Sequence, residues 1–167
     1  MTRLLLASPL GPLLLEYDAD GVRALRYCPQ GEHPPAGTRD APAAADALGR
    51  QLVRELDEYF AGARRDFSLP LAPAGTAFQQ RVWRALREIP CGETRSYAAL
   101  ARRLGLPHAA RAVGQANRAN PLPILIPCHR VVAADGRLGG YLGADGLALK
   151  RWLLALETRS FELRAES

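Results

Sequence analysis

A thiol and an imidazole stand side by side in Pro127-Cys128-His129-Arg130, and this pairing is the chemistry the chain offers most plainly. A thiol attacks as its thiolate, and nearby positive charge lowers its pKa. His129 and Arg130 are placed to supply that field, while Pro127 has no N–H to offer from the other side. Such a nucleophile needs a base, and the base needs a third group to orient it. Adjacent side chains on an extended chain point to opposite sides, so a bridging water is expected to carry the proton from Cys128 to His129. The competing reading is bland: a lone buried cysteine is most often a small apolar side chain.

The stretch that must hold this pair runs from Asn117 to Tyr141. It reaches Cys128 through an apolar run broken by Pro121, Pro123 and Pro127, which excludes a helix interior or a central strand. A rigid, extended, largely buried connection is expected. Loops normally lie on the surface, so an apolar one ending in a cysteine points to a thiol held in a preset place.

Around the pair the chain reads N-P-L-P-I-L-I-P-C-H-R-V from Asn120 to Val131, then G-G-Y from Gly139 to Tyr141. Further motifs follow in order along the C-terminal half: G-E-T-R-S-Y (Gly92 to Tyr97), A-R-A-V-G (Ala110 to Gly114) and W-L-L-A-L-E (Trp152 to Glu157). Together they resemble the O6-alkylguanine-DNA alkyltransferases. Several separate motifs in one order are far more specific than one short pattern.

The resemblance implies a single-turnover DNA repair protein. It would move the alkyl group of O6-alkylguanine, and also of O4-alkylthymine, onto its own cysteine after flipping the nucleotide out of the duplex. Cys128 would be the nucleophile, His129 its base through water, and Glu157 the carboxylate that orients His129. Tyr97 would turn the phosphate and donate to the departing guanine, and Asn120 would brace the turn into the active loop. Arg111 would be the finger filling the vacated stack. Ser96, Ala110, Ala112, Gly114 and Arg118 would complete the DNA-binding surface, and Pro123, Val131, Tyr141 and Leu142 would line the substrate pocket. The expected partner is double-stranded DNA carrying alkylated guanine, met by a monomer that can cluster along DNA.

The elements that must position these groups fall into an α/β chain of two parts, residues 1–75 and 76–167. In the first, short strands are expected at Arg3 to Ala7, Leu13 to Asp18 and Val22 to Tyr27, separated by Gly-Pro and Asp-Gly turn signals. A loop from Cys28 to Ala43 and a helix from about Pro42 to Ala61 follow, the helix carrying Leu48, Leu52 and Leu56 on one face. Arg64 to Gly75 reads as a linker. The resemblance implies a small antiparallel sheet domain of ribonuclease H-like type here.

The second part reads as mainly helical. Thr76 caps a helix through Phe78, Val82, Trp83 and Leu86, which Pro90 and Gly92 stop. Ser96 caps a helix from Tyr97 to Leu104, Gly105-Leu106-Pro107 turn, and a helix runs from His108 to about Arg118. Two short helices about a tight turn make a helix-turn-helix, or an ordinary helical hairpin. The alanines and Gly114 leave the second helix thin enough for close, sequence-tolerant contact with a groove. The resemblance places that contact in the minor groove. A last helix is expected from Leu147 to Glu157.

Composition narrows the rest. The net charge is +5 and nearly all of the positive charge is arginine, Lys150 being the one lysine. That balance fits a polyanionic partner. Three widely spaced cysteines, Cys28, Cys91 and Cys128, suggest neither a disulfide framework nor a zinc ribbon, and Cys28 with His33 is too few ligands for structural zinc. No metal, no cofactor and no membrane partner are expected, and the location is expected to be cytoplasmic. One departure from the family pattern stands out: the loop from Leu142 to Leu149 reads as two residues longer than usual, bearing on the size of alkyl group accepted. Two other functions compete. A catalytically silent lesion binder would lack the nucleophile that Cys128 provides, and a thiol hydrolase would have no use for a basic helix-turn-helix.

Overall fold

The computed structural model describes residues 1–165 apart from 42, 44, 140 and 142–145, with side chains as far as residue 159. It divides into two compact units, Met1–Ala74 and Gly75–Ser167.

In the first unit alternating leucines build a sheet. Strands β1 (Thr2–Leu6), β2 (Leu13–Asp18) and β3 (Gly21–Tyr27) pair antiparallel, and a two-residue strand β4 (Arg39–Asp40) joins β1 in parallel, giving the order β3-β2-β1-β4. Register aligns Leu4 with Leu15 and Leu15 with Leu25, so three nearly inaccessible leucines lie in a row across one face. Helix α1 (Ala47–Phe60) supplies Leu52, Val53, Leu56 and Tyr59 to the core. At Gly49 a Cβ would come within 2.3 Å of the Tyr17 hydroxyl, so this crossing requires glycine.

Sequence expectation and structure part company in three places here. The helix begins at Ala47, not near Pro42, because the Asp46 carboxylate accepts from Gly49 N–H at 2.9 Å and fixes the first turn there; Pro42 itself lies outside the described residues. The loop from Cys28 to Ala43 contains β4. The stretch read as a linker is part of this unit: Val22 N–H donates to Pro70, Ala72 N–H donates back to Val22, and Ser68 is tied to Glu55. Glu55 is 1% exposed, and its carboxylate accepts from Ser68 N–H at 2.9 Å and from Gln51 at 3.0 Å.

The second unit is mostly helical. Thr76 caps α2 (Ala77–Arg87) with a reciprocal bond from Gln79, satisfying two backbone donors at once. A short strand β5 (Arg95–Ser96) leads directly into α3 (Tyr97–Arg103), whose first turn is capped by Ser96, and α4 (Ala110–Arg118) follows after the turn at Gly105. Trp83 is 2% exposed and donates its indole N–H to the Ala116 carbonyl at 2.8 Å, bolting α2 to α4. A single 3-10 turn, Cys128–Arg130, precedes β6 (Val131–Val132), which pairs in parallel with β5. Helix α5 (Gly146–Ala165) runs well past Glu157, so that residue sits mid-helix and not at its end; residues 146–149 of the stretch read as a long loop are helical, and 142–145 lie outside the described residues.

The entry to Cys128 is also not extended. Between Asn120 and Cys128 the backbone turns repeatedly, with Ile126 N–H bonded to the Leu122 carbonyl at 2.8 Å. Ile124 takes φ +75, the only non-glycine residue described with positive φ, and it is 1% exposed. A β-branched residue in that region is strained, by ~1–3 kcal/mol. The prolines exclude helix and sheet ladder, and what they leave here is a knot of turns held from inside by Asn120. Among the described residues no helix is long and apolar enough to cross a membrane.

Candidate active site

Asn120 is 6% exposed and uses both ends of its amide on the turn: Leu122 N–H donates to its Oδ1 at 2.9 Å, and its Nδ2 donates to Ile126 at 2.8 Å. The turn so held delivers Cys128, 4% exposed, at the start of the 3-10 turn. β6 follows at once, and its pairing of Val131 with Arg95 and Val132 with Ser96 brings the N-terminus of α3, and hence Tyr97, beside this segment.

His129 and Arg130 converge on one carboxylate. His129 Nε2 lies 2.7 Å from Glu157 Oε1, while Arg130 reaches Glu157 Oε2 at 3.0 Å through Nε and Oε1 at 2.8 Å through Nη2. Arg130 Nη1 also donates to the Ile89 carbonyl at 2.7 Å. His129 is fully buried and Glu157 nearly so. Burial alone would push the Glu157 carboxyl up, but the imidazole and guanidinium against it more than reverse that and hold it well below the usual carboxylate range. Burial holds His129 below its ordinary value despite that carboxylate, so the ring is neutral near pH 7. With Nε2–H committed to Glu157, Nδ1 carries the lone pair, and it has no hydrogen-bond partner among the described residues.

The thiol behaves differently from the sequence expectation. Its neighbours in sequence were expected to lower its pKa, yet burial pushes Cys128 up to about 11, against the pull of Asn120, the charge of Lys150 and the Tyr141 side chain. The arginine beside it in sequence is spent on Glu157 and Ile89. Extended-chain geometry fails too, because Cys128 and His129 share one tight turn.

Lys150, the sole lysine, is a group the motif reading passed over. It is 0% exposed, its Nζ donates to Val131 at 2.6 Å and also to the Leu138 carbonyl, and burial lowers its pKa to about 8. A single lysine among twenty-one arginines was a signal, since a buried ammonium is compact where a guanidinium is not. Asn117, 5% exposed, was likewise missed; its Nδ2 donates to the Cys128 carbonyl at 3.2 Å.

Outside this core a cavity of about 490 Å³ is bounded by Tyr97, Arg111, Gly114, Asn117, Arg118 and Gly139. Tyr97 is half-buried, and burial together with the nearby Cys128 raises its phenol above the ordinary value, so it keeps its proton. Along α4 the buried side is Val113, Ala116 and Asn117, leaving Arg111, Ala112 and Arg118 exposed and Ala110 and Gly114 half-exposed. At Gly114 a Cβ would meet the Tyr97 ring at an ordinary 3.6 Å. Ser96 spends its hydroxyl on capping α3, accepting from Ala99 N–H at 3.0 Å. Pro123, Val131 and Tyr141 are buried close to the thiol in sequence, whereas Leu142 lies outside the described residues. None of Cys28, Cys91 and Cys128 is in a disulfide, and among the described residues no cluster of His, Cys, Asp and Glu could hold a metal ion.

Comparison with known proteins places this arrangement. The 6-O-methylguanine DNA methyltransferase ribonuclease-like domain matches residues 1–73, and the DNA binding domain of the same family matches residues 77–159. The methylated-DNA–protein-cysteine methyltransferase of Methanosarcina acetivorans is 45% identical over 150 residues, covering 90% of this chain and 94% of that protein. The constitutive enzyme of that name from Bacillus subtilis is 42% identical over 166 residues, covering 93% and 94%. Among solved structures, Mycobacterium tuberculosis OGT in complex with DNA superposes with a TM-score of 0.82 at 42% identity, covering 96% of this chain and 94% of that one. Matched in both halves, and at such identity over nearly its whole length, this chain belongs to the 6-O-methylguanine DNA methyltransferase family.

Proposed function

We propose that this protein repairs O6-alkylguanine in double-stranded DNA by transferring the alkyl group irreversibly to Cys128, once per molecule. The observation that carries the reading is the buried relay: a thiol, a neutral imidazole with one free nitrogen, and a carboxylate pinned by arginine, set behind a thin helix that exposes Arg111. A base locked in a duplex cannot reach a thiol that is 4% exposed, so the nucleotide must leave the stack. Arg111, at the first turn of α4, is the side chain to fill the gap, with Ala110, Ala112, Gly114 and Arg118 against the groove.

In the pocket the Cys128 proton passes to His129 Nδ1 through water, and the sulfur attacks the alkyl carbon in line. The S–C bond forms as the C–O6 bond breaks, and the electron pair returns to the base. Tyr97, which keeps its proton, donates it to the leaving guanine. The thioether has no route back, so the protein is consumed. Every side chain invoked comes from one chain, which supports action as a monomer; sedimentation on lesion-free duplex distinguishes that from clustering along DNA. Free cysteines, one of them the reacting thiol, fit a reducing compartment such as the cytoplasm.

The test is incubation with duplex DNA carrying one O6-methylguanine, followed by mass analysis of the intact protein and of the Cys128 peptide. A gain of one methyl on Cys128, saturating at one per protein and absent in Cys128→Ala, is the expected result. Tight binding to the lesion without transfer would replace the reading with that of a lesion sensor.

A further inference from the structure

Between the end of α2 and the start of α3 lies a second cavity, of about 350 Å³, which shares no residue with the one bounded by Tyr97 and Arg111. Its apolar lining is aliphatic: Ala85, Ile89 and Leu100 are buried, and Pro90 and Ala99 reach the surface. Charged side chains complete it, Arg95 and Arg103 with Glu88. Arg103 holds Glu88 through Nε at 2.9 Å and Nη2 at 2.7 Å, but both side chains are exposed. A surface pair of that kind contributes little, so a better-placed carboxylate can displace Glu88. Among the described residues Arg95 meets only the Thr94 carbonyl, at 3.0 Å, and Glu93, at 3.8 Å. The surrounding charge is one-sided. Arg81, Arg84 and Arg87 on α2 and Arg102 on α3 are exposed as well, whereas Glu88 and Glu93 are the only acids from the start of α2 to the end of α3.

We propose that this cavity docks an acidic segment of another protein: an aliphatic side chain fills the space between Ile89 and Leu100, and carboxylates on either side of it meet Arg95 and Arg103. Charge complementarity selects the acid, since a planar guanidinium takes a carboxylate bidentately. The lining selects the anchor. A strand of nucleic acid would bring charge but no aliphatic side chain to fill the cavity, and no aromatic ring lines it on which a base could stack. Arginine clusters that read acidic motifs are a recurring mode of peptide recognition. Because the two cavities share no residue, a segment held here leaves the Arg111 side of α4 open to DNA. Ile89 joins this cavity to the reaction centre: its side chain lines the wall, and its carbonyl accepts from Arg130, the residue that pins Glu157.

The test selects a display library of random decapeptides on the full-length wild type. The expected consensus is Leu, Ile or Val set between Asp or Glu. The consensus peptide, synthesised with a fluorophore, is then titrated by anisotropy. Its affinity should fall ~10-fold or more in Arg95→Glu and in Arg103→Glu, the scale of losing a charge-assisted contact, and fall with rising salt in the wild type. Ala99→Leu fills the cavity without touching its charge and should weaken binding too, whereas Arg111→Ala should leave it unchanged. Thermal midpoints check that each variant folds; where one does not, the salt dependence and the remaining variants decide. A library that yields no acidic consensus overturns the proposal, as does a consensus peptide whose affinity survives all three pocket substitutions. Loss of duplex affinity in the two charge reversals, with no peptide selected, would make this face a second contact for the phosphate backbone. Self-association that Ala99→Leu abolishes would give the cavity to a second copy of the chain. Either result overturns the proposal, and none of these readouts depends on alkyl transfer.

Discussion

Cys128 left to itself would be a poor nucleophile. With the thiol near 11, only about one molecule in ten thousand would hold a thiolate at pH 7, so in the proposed mechanism proton removal by His129 accompanies attack. The pH profile follows with a definite sign. Because burial holds His129 below its ordinary value of about 6.5, the imidazole stays neutral at and above that pH, and the transfer rate should be flat from roughly pH 6.5 to 7, fall at lower pH, and fall again as pH rises through about 8, where Lys150 loses the charge that draws the thiol down. In His129→Gln the rate should instead climb ~10-fold per pH unit toward the thiol pKa, since thiolate must then form unaided; single-turnover kinetics across that range check both. Lys150→Met removes a charge that draws the thiol down, and should slow transfer at pH 7.5 by about tenfold, measured the same way. The contact of His129 with Glu157 fits the relay that residue type and order suggest. The direction of the thiol shift was not legible there, since flanking charge is written in the sequence and burial is not. Lys150 and Asn117 escaped for another reason: they bind backbone carbonyls, and a carbonyl carries no residue identity.

Helix α4 is short and weakly begun, with no side-chain cap at Ala109, so its position depends on what holds its other side. Trp83 does that from α2, and α2 in turn depends on its capping box. Thr76→Ala should therefore cost ~1 kcal/mol, read as a lower denaturation midpoint with an unchanged slope. On the exposed side of α4, Arg111→Ala should weaken binding to any duplex and reduce the slope of log affinity against log salt by ~1 if the guanidinium neutralises a phosphate; fluorescence anisotropy at several salt concentrations decides it. The elements best read from sequence were those with local signatures: Leu13 to Asp18 between turn residues, Ser96 and Thr76 as caps. β4, β5 and β6 are two residues each and leave no periodic pattern. They exist because a parallel neighbour holds them, and that neighbour is distant in sequence. The same is true of the Cys128 turn, where prolines announced rigidity and the actual path depended on Asn120 reaching Ile126.

Each unit of the molecule holds a buried glutamate with a partner brought from elsewhere in the chain: Glu55 with Ser68 in one, beside Gln51 of its own helix, and Glu157 with His129 and Arg130 in the other. Removing one side of such a buried pair leaves the other charge unmet, so Glu157→Gln should destabilise its unit by ~3 kcal/mol or more and slow transfer as well. A lower thermal midpoint with normal kinetics would show that the carboxylate serves the fold alone. The two-part organisation was legible in composition and order, but the Arg64 to Gly75 stretch read as a linker because its contribution, a bridge to Val22 and a donor for Glu55, is made through backbone atoms. The distance in sequence between Cys128 and the groups of α5 has one more consequence, for synthesis. A ribosome makes Cys128 and His129 before it makes Lys150 and Glu157, so the nascent chain has no carboxylate to set the imidazole and no ammonium beside Val131. On the proposed mechanism the relay is then incomplete, and transfer waits until the last helix has been made and folded.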